Sequence, residues 1–528
     1  MTARQVRANT TTMPAAINIV RNTYRDSVSL MQLSAQIAAL AGVLQASVVM
    51  ATKGNLALLR EAGLLDGPIE ASPSDLVVVV LADDPAAGQS ALDETARLLS
   101  GSAARDQQTG PRIINPRTIQ MGLSVQPAAN LALISTPGEY AAAEALKALR
   151  LGLNVMLFSD NVSVEDEVML KREAGRRGLL VMGPDCGTAI IGGVPLGFAN
   201  AVRRGPIGVI GASGTGLQQV TSLLDQAGAG VSHALGTGGR DLSAAVGGAT
   251  MLAALEELAA DDGTRAIVLV SKPPAAEVAA KVLARARATG KPVVACFLGA
   301  EEKDVAGANV AFAGTLEDAA AMALVALHDG QISTPRPDQM PGFAEVRLAP
   351  GQRFVRGLYS GGTFCYEATL LLSQSLGDVH SNTPVGRAAR LSDVWRSRSH
   401  TLVDLGDDEF TRGRPHPMID HRMRNDRLLR EAADPEVAVI LLDVVLGYGA
   451  HPDPAGEMLP AIRAARAARV ALGREIAFVA FVCGTEGDPQ GLASQEASLR
   501  EEGVFLARSN AQAARFAAAI VSRHATIS

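Results

Sequence analysis

Gly208-Val-Ile-Gly-Ala-Ser-Gly-Thr-Gly-Leu217 reads as a buried strand that runs through a small-residue turn into a helix, and Gly357-Leu-Tyr-Ser-Gly-Gly-Thr-Phe364 repeats the plan far downstream. A strand, a glycine turn and a helix in immediate succession are the opening unit of a doubly wound sheet. Both stretches then reach a second buried strand after an acidic turn, Asp262-Gly-Thr-Arg-Ala-Ile-Val-Leu-Val270 and Asp434-Pro-Glu-Val-Ala-Val-Ile-Leu-Leu442, followed by Pro292 to Phe297 and Ile476 to Val482. The pattern is a weak internal repeat of two domains able to pack about a pseudo-two-fold axis, or else what any two flavodoxin-like domains share.

Outward from that repeat, the alternation of strands and amphipathic helices continues in both directions. Strands at Leu131 to Ser135, Asn154 to Phe158 and Leu179 to Met182 imply a further parallel sheet, and residues 14 to 100 alternate in the same way. The expected fold is α/β and multidomain: an N-terminal α/β domain over 1–105, a Rossmann-like domain over 106–200, and flavodoxin-like domains over 201–330 and 346–528. Polar linkers are expected at 101–111 and at the proline-rich 331–345.

Composition narrows the partners. The chain has 528 residues, 48% hydrophobic and 19% charged, which is globular. With 48 Lys and Arg against 54 Asp and Glu, no basic excess exists to neutralise a nucleic-acid backbone. The apolar runs are strand-sized, no membrane partner is expected, and residues 1–12 read as a frayed leader without an apolar signal segment. Cys186, Cys296, Cys365 and Cys483 are widely spaced, as reduced cytoplasmic thiols would be, and no zinc spacing occurs. Cys186 reads as a small buried thiol and not as a nucleophile.

The chemistry is expected at the two turns, Ser213, Gly214, Thr215 and Gly216 in one and Ser360, Gly361, Gly362 and Thr363 in the other. Glycines let backbone approach a ligand, hydroxyls cap, and free amides at a helix start attract an anion. Two such helices converging on one pocket would suit a dianionic phosphate; the alternative is a pair of ordinary capped turns.

Residues 130–330 resemble the α subunit of succinyl-CoA synthetase and its NDP-forming acyl-CoA synthetase relatives. The likeness rests on Leu131-Ala-Leu-Ile-Ser-Thr-Pro-Gly138, Val181-Met-Gly-Pro-Asp-Cys-Gly187, the turn at 207–215, Ala266-Ile-Val-Leu-Val270 and Lys291-Pro-Val-Val294. The resemblance implies that the Rossmann-like domain over 106–200 is CoA-binding-like, and residues 346–528 resemble the carboxy-terminal domain of the β subunit. Within that group, Gly183-Pro-Asp-Cys-Gly-Thr188, Pro415-His-Pro-Met-Ile-Asp420, Asp443-Val-Val-Leu-Gly-Tyr-Gly-Ala-His-Pro-Asp453 and Cys483-Gly-Thr-Glu-Gly-Asp-Pro489 resemble the FdrA family. Several parts of the ligase are missing. The phosphohistidine segment reads Val305-Ala-Gly-Ala-Asn-Val-Ala-Phe-Ala-Gly314 without a histidine, and the glutamate turn that holds it reads Ser271-Lys272-Pro273-Pro274. Neither the CoA loop before Leu131 nor an ATP-grasp domain is recognisable.

The resemblance implies a subunit of an oxamate carbamoyltransferase-type complex in allantoin-derived nitrogen catabolism. Carbamoyl phosphate or phosphate would be its small-molecule ligand, no cofactor would be required, and CoA and ATP would be doubtful. Additional protein subunits and a homo-oligomer are the expected partners. An acid–CoA ligase subunit and a non-catalytic scaffold are the competing readings. His416, Asp420, His451 and Asp453, in loops near strand ends, are candidates for a general acid or an oxyanion donor, or else plain surface residues. Arg240 is a candidate for a substrate carboxylate, with an ion pair to Asp241 or a neighbouring acid as the alternative.

Overall fold

The computed structural model describes residues 15–105, 116–327, 346–412 and 414–527. The leader at 1–12 and the linker at 331–345 lie outside them, as does the part of the 101–111 linker beyond Arg105, up to which a helix runs. The chain divides into two compact units, one of Met1–Asn115 with Asp408–Ile419, the other of Pro116–Asp407 with Asp420–Ser528.

The first unit runs β1 (Ala16–Val20), α1 (Ser27–Ala38), β2 (Val43–Met50), α2 (Lys53–Glu61), β3 (Leu76–Ala82) and α3 (Pro85–Arg105). Its sheet has the order β1-β3-β2 with both pairings antiparallel. The run Leu-Val-Val-Val-Val-Leu-Ala of β3 is apolar throughout because the central strand is covered on both faces. Val78 and Val80 join Leu30, Ile37 and Leu92 on one face, while Val77 and Val79 join Leu56, Leu59 and Leu65 on the other. The period of two along a strand sends alternate valines to opposite cores.

The second unit opens with α4 (Ile119–Val125), β4 (Leu131–Ile134), α5 (Gly138–Arg150), β5 (Asn154–Leu157), α6 (Val164–Arg177) and β6 (Val181–Met182), with β4-β5-β6 parallel. The ends of α6 are written in its sequence. Ser163 caps the Asp166 amide, three acids fill the first turn, Arg176 and Arg177 the last, and Gly178 closes it at φ 64°.

Next come β7 (Thr188–Ile191), β8 (Val194–Gly197), β9 (Arg204–Gly211), α7 (Gly214–Gln226), β10 (Val231–Gly236), α8 (Ala249–Ala260), β11 (Ala266–Ser271), α9 (Ala276–Arg287), β12 (Val293–Phe297), α10 (Glu302–Val305), β13 (Val310–Phe312) and α11 (Leu316–Leu327). They form a sheet of order β13-β12-β11-β9-β10-β7-β8. The hairpin β7-β8 pairs antiparallel onto β10, so this sheet takes in residues ahead of the boundary at 201 drawn from sequence.

The last set is β14 (Phe354–Tyr359), α12 (Gly362–Ser375), β15 (Val379–Ser381), β16 (Ala389–Arg390), β17 (His400–Asp404), α13 (Asp408–Thr411), α14 (Arg422–Ala433), β18 (Val437–Val445), α15 (Pro454–Val470), β19 (Ala477–Cys483), α16 (Leu492–Glu501), β20 (Phe505–Ala507) and α17 (Asn510–Ile527). Here α13 begins the segment counted with the first unit, and the sheet order is β16-β15-β17-β14-β18-β19-β20.

The two large sheets share a parallel core in one order, β10-β9-β11-β12-β13 and β17-β14-β18-β19-β20. That is the doubly wound arrangement, whose ligand crevice lies at the carboxyl ends of the strands. The helices pair symmetrically as well: α7 packs on α11 and α12 on α17, and across the two domains α7 meets α12 and α11 meets α17. Polar contacts lock this arrangement. Asn200 donates to Asp488 at 2.8 Å and to the Leu446 carbonyl at 3.1 Å, and Thr485 donates to the Ala201 carbonyl at 2.6 Å. Among the described residues no helix is long and apolar enough to cross a membrane.

Candidate functional site

The pairing of α7 with α12 brings the two glycine turns together. Ser213 Oγ and Thr363 Oγ1 lie 2.6 Å apart, so the hydroxyl of one turn is hydrogen-bonded to the hydroxyl of the other. One proton makes that bond, and the second hydroxyl proton is left for another acceptor. Each helix follows the carboxyl end of a core strand, β9 or β14, so their amino ends meet at the strand-end crevice that such sheets present. First-turn amides have no carbonyl a turn earlier, which holds for Gly214 and Thr215 in α7 and for Gly362 and Thr363 in α12.

The turns need glycine for close approach and not for unusual backbone angles. None of Gly214, Gly216, Gly361 and Gly362 has a positive φ. A Cβ on Gly216 would lie 2.6 Å from Ser213 Oγ, and one on Gly361 would lie 3.0 Å from Thr215 Cγ2 across the crevice. On Gly362 it would lie 2.5 Å from Asp404 Oδ2.

The turns differ in what fills them. Ser213 caps its own helix by accepting from the Gly216 amide at 2.9 Å. In the other turn the Ser360 and Gly361 amides donate to the Asp443 carboxylate, at 2.8 Å and 2.7 Å. An internal carboxylate therefore takes two of the donors expected to hold phosphate. Arg424, fully buried on α14, completes the arrangement through Nη1, 2.8 Å from Ser360 Oγ and 2.7 Å from Asp443 Oδ1. Burial pushes the Asp443 carboxyl up, while Arg424 and the two amides pull it down. Burial is the largest of these influences, and the three donors on one carboxylate oppose it.

Two further charged groups reach the crevice. Asp404, 7% exposed at the end of β17, accepts from the Gly406 amide at 3.0 Å through Oδ1. Burial pushes its carboxyl up to about 7, opposed by the Lys272 ammonium. Lys272, just past β11 of the other domain, is exposed and holds its ammonium 5.3 Å from the centre of the Tyr366 ring on α12.

The remaining sequence candidates are spoken for. His451 Nδ1 accepts from the Asp453 amide at 3.1 Å, and its ring lies 5.5 Å from that of the buried His421. His421 Nδ1 in turn faces Arg424 Nη2 at 3.0 Å, which links His451 to the second turn through two residues. Asp453 caps α15, accepting from the Gly456 amide and from Gln495. Asp420 is gripped by Arg422, with Nε at 3.0 Å and 3.1 Å from its two oxygens. His416 belongs to the first unit, the turns to the second; its Nδ1 accepts from the Met418 amide and burial pushes it down to about 4. Arg240 follows the alternative reading, for its fork is held by Glu167 at 3.0 Å and by the Val162 carbonyl. Glu167 also belongs to a buried cluster in which Lys171 bridges it to Asp241, at 2.7 Å and 2.8 Å. Cys186 is buried, and burial pushes its thiol up to about 12.

Arg424, Asp443 and Asp404 were not singled out in the sequence. The signal was there for the two acids: each interrupts or ends an apolar strand, and a charge in such a place must be paired or protonated.

Comparison with known proteins follows this layout. Residues 13–113 match the AllF heavy metal-associated domain, 202–299 a CoA binding domain and 358–520 a CoA-ligase. The CoA-binding match thus falls on the first of the paired domains and not on the 106–200 stretch read as CoA-binding-like. The uncharacterized protein YahF of Escherichia coli (strain K12) is 47% identical over 94% of this chain and 97% of its own length. The mitochondrial succinate–CoA ligase [ADP-forming] subunit alpha-2 of Trichomonas vaginalis is 31% identical over 33% of the chain, which spans 57% of that protein. A solved dinucleotide-forming acetyl-coenzyme A synthetase 1 from Ca. Korarchaeum cryptofilum aligns over 75% of this chain and 83% of its own at 15% identity, with a TM-score of 0.29. The heavy-metal description of the first domain does not fit its residues. The span 13–113 contains neither cysteine nor histidine, and no group of three or more His, Cys, Asp or Glu side chains able to hold a metal occurs among the described residues.

Proposed function

We propose a function from the premise that this chain belongs to the family of the Escherichia coli protein YahF: it is an FdrA-like subunit of a carbamoyl-transferring enzyme of the oxamate carbamoyltransferase type. It uses carbamoyl phosphate or phosphate in allantoin-derived nitrogen catabolism, in the cytoplasm, without a phosphohistidine and without a required cofactor. The observation that carries this reading is the contact of Ser213 with Thr363, which sets two helix amino ends and one spare hydroxyl proton at a single crevice. Positive helix ends and the Lys272 ammonium favour an anion there. The stretch 305–314 has no histidine to become phosphorylated, so a phosphate in the crevice would be a diffusible substrate or product. The protein's part would be to position the acyl phosphate and to stabilise the developing oxyanion. Additional subunits and self-association would complete the enzyme.

The test is an activity assay of the chain with the products of its neighbouring genes, using oxamate and carbamoyl phosphate. Transfer that falls about tenfold in Thr363→Val, with the melting temperature little changed, is the expected result. Full activity in both Thr215→Val and Thr363→Val would make the turns structural caps. The CoA-binding match over 202–299 favours a second reading, an acid–CoA ligase subunit, and saturable CoA binding with acid-dependent nucleotide cleavage would establish it.

A further inference from the structure

We propose that Asp404 is the residue that carries the proton during carbamoyl transfer, taking it from hydrogenphosphate and delivering it to the departing nitrogen. This rests on the functional reading above and deepens it. When phosphate accepts the carbamoyl group from an N-carbamoyl amide such as carbamoylated oxamate, a phosphate oxygen bonds to the carbamoyl carbon. The bond from that carbon to the amide nitrogen breaks. The hydrogenphosphate must lose one proton and the departing nitrogen must gain one, so a single carboxylate passing that proton closes the reaction with no oxidant, metal or covalent intermediate.

Asp404 has the geometry for it. It stands at the carboxyl end of β17, beside the first residue of α12, and its Oδ2 would touch any side chain placed on Gly362. Only Oδ1 has a hydrogen-bond donor, the Gly406 amide; among the described residues none reaches Oδ2. Asp443 is the other buried carboxylate of the crevice and cannot serve, since both its oxygens already accept from the Ser360 and Gly361 amides and from Arg424. The charged and titratable groups facing Asp404 are Lys272 beyond β11, Asp443 on β18, Asp407 in its own loop and Cys365 on α12. Burial is the largest influence on its carboxyl and Lys272 the next, the combination that leaves a carboxyl able both to take and to give a proton near neutrality.

Two measurements on the full chain test this. In the transfer assay, Asp404→Asn is expected to lower kcat at least a hundredfold while the KM values for phosphate and carbamoyl phosphate stay within about threefold, and to abolish the limb of the pH profile near neutrality. A variant within threefold of the wild type in kcat, or one that keeps the limb, overturns the inference and leaves the carbamoyltransferase reading standing. The second measurement needs no turnover. Calorimetric titration with inorganic phosphate at pH 8, in buffers of different ionisation enthalpy, is expected to show proton uptake by the wild type, because an anion beside a carboxylate raises its pKa. Asp404→Asn should bind phosphate without that uptake. Equal uptake by both proteins overturns the assignment, and absence of phosphate binding by the wild type overturns both it and the functional reading.

Discussion

The turn at 213–216 and the turn at 360–363 begin from nearly the same sequence and end with different chemistry. The first is self-contained, a serine capping its own helix. The second is occupied from within by the Asp443 carboxylate, itself held by a buried arginine from another helix. A glycine-rich strand-to-helix turn is therefore a place where an anion fits, and the anion can be part of the protein. If the crevice holds a phosphate, the first-turn amides of Gly214 and Thr215, Lys272 and the hydroxyl pair must do more of the work than Ser360 and Gly361.

The comparison breaks most sharply at Arg424. Arg424→Met leaves the buried Asp443 carboxyl without its partner, a loss of about 3–5 kcal/mol, and should show as a large fall in the denaturant midpoint. No single substitution around the first turn should match it, since among the described residues no buried ion pair supports that turn.

Asp404 offers the next largest effect, and it depends on pH. Its folded pKa of about 7 lies above the ordinary 3.8, so the unfolded chain releases this proton first as pH rises. The group's contribution to stability is then fully present below about pH 4 and is lost as pH climbs through 7. Asp404→Asn should raise the melting temperature at pH 8 relative to the wild type, by less at pH 5, and lose that advantage near pH 4. A pH-independent difference would show that the carboxyl titrates normally.

Glycine replacement should separate the turns by a smaller margin. Gly362→Ala drives a methyl to 2.5 Å from Asp404 Oδ2, whereas Gly214→Ala meets Thr188 Oγ1 at 3.1 Å, a contact a side chain can relieve. Overpacking of the first kind costs roughly 1–3 kcal/mol, and Gly214→Ala should cost less than half as much. Comparable losses by thermal denaturation would mean that the crevice is looser than the distances state.

The sequence displays the doubly wound domains and their repeat plainly, because buried parallel strands leave apolar runs such as Ala266 to Val270 and helices leave caps such as Ser163. The meeting of the turns also follows from the repeat, since related domains packed about a pseudo-axis present equivalent helices to each other. What the sequence conceals is neutralisation across distance. Nothing near Ser360 announces that Arg424 and Asp443 converge on it, and nothing near Arg240 announces Glu167, because both pairings are made by the fold. The assignment of Asp408–Ile419, with His416, to the first unit is hidden for the same reason.

The central claim, that the crevice at Ser213 and Thr363 takes an acyl phosphate, is tested most directly by calorimetric titration of the full chain with carbamoyl phosphate and, separately, with CoA. Saturable binding of carbamoyl phosphate, weakened about tenfold in Thr363→Val and less in Thr215→Val, is the predicted result. Saturable binding of CoA with none of carbamoyl phosphate, or equal carbamoyl phosphate affinity in wild type and Thr363→Val, would contradict it.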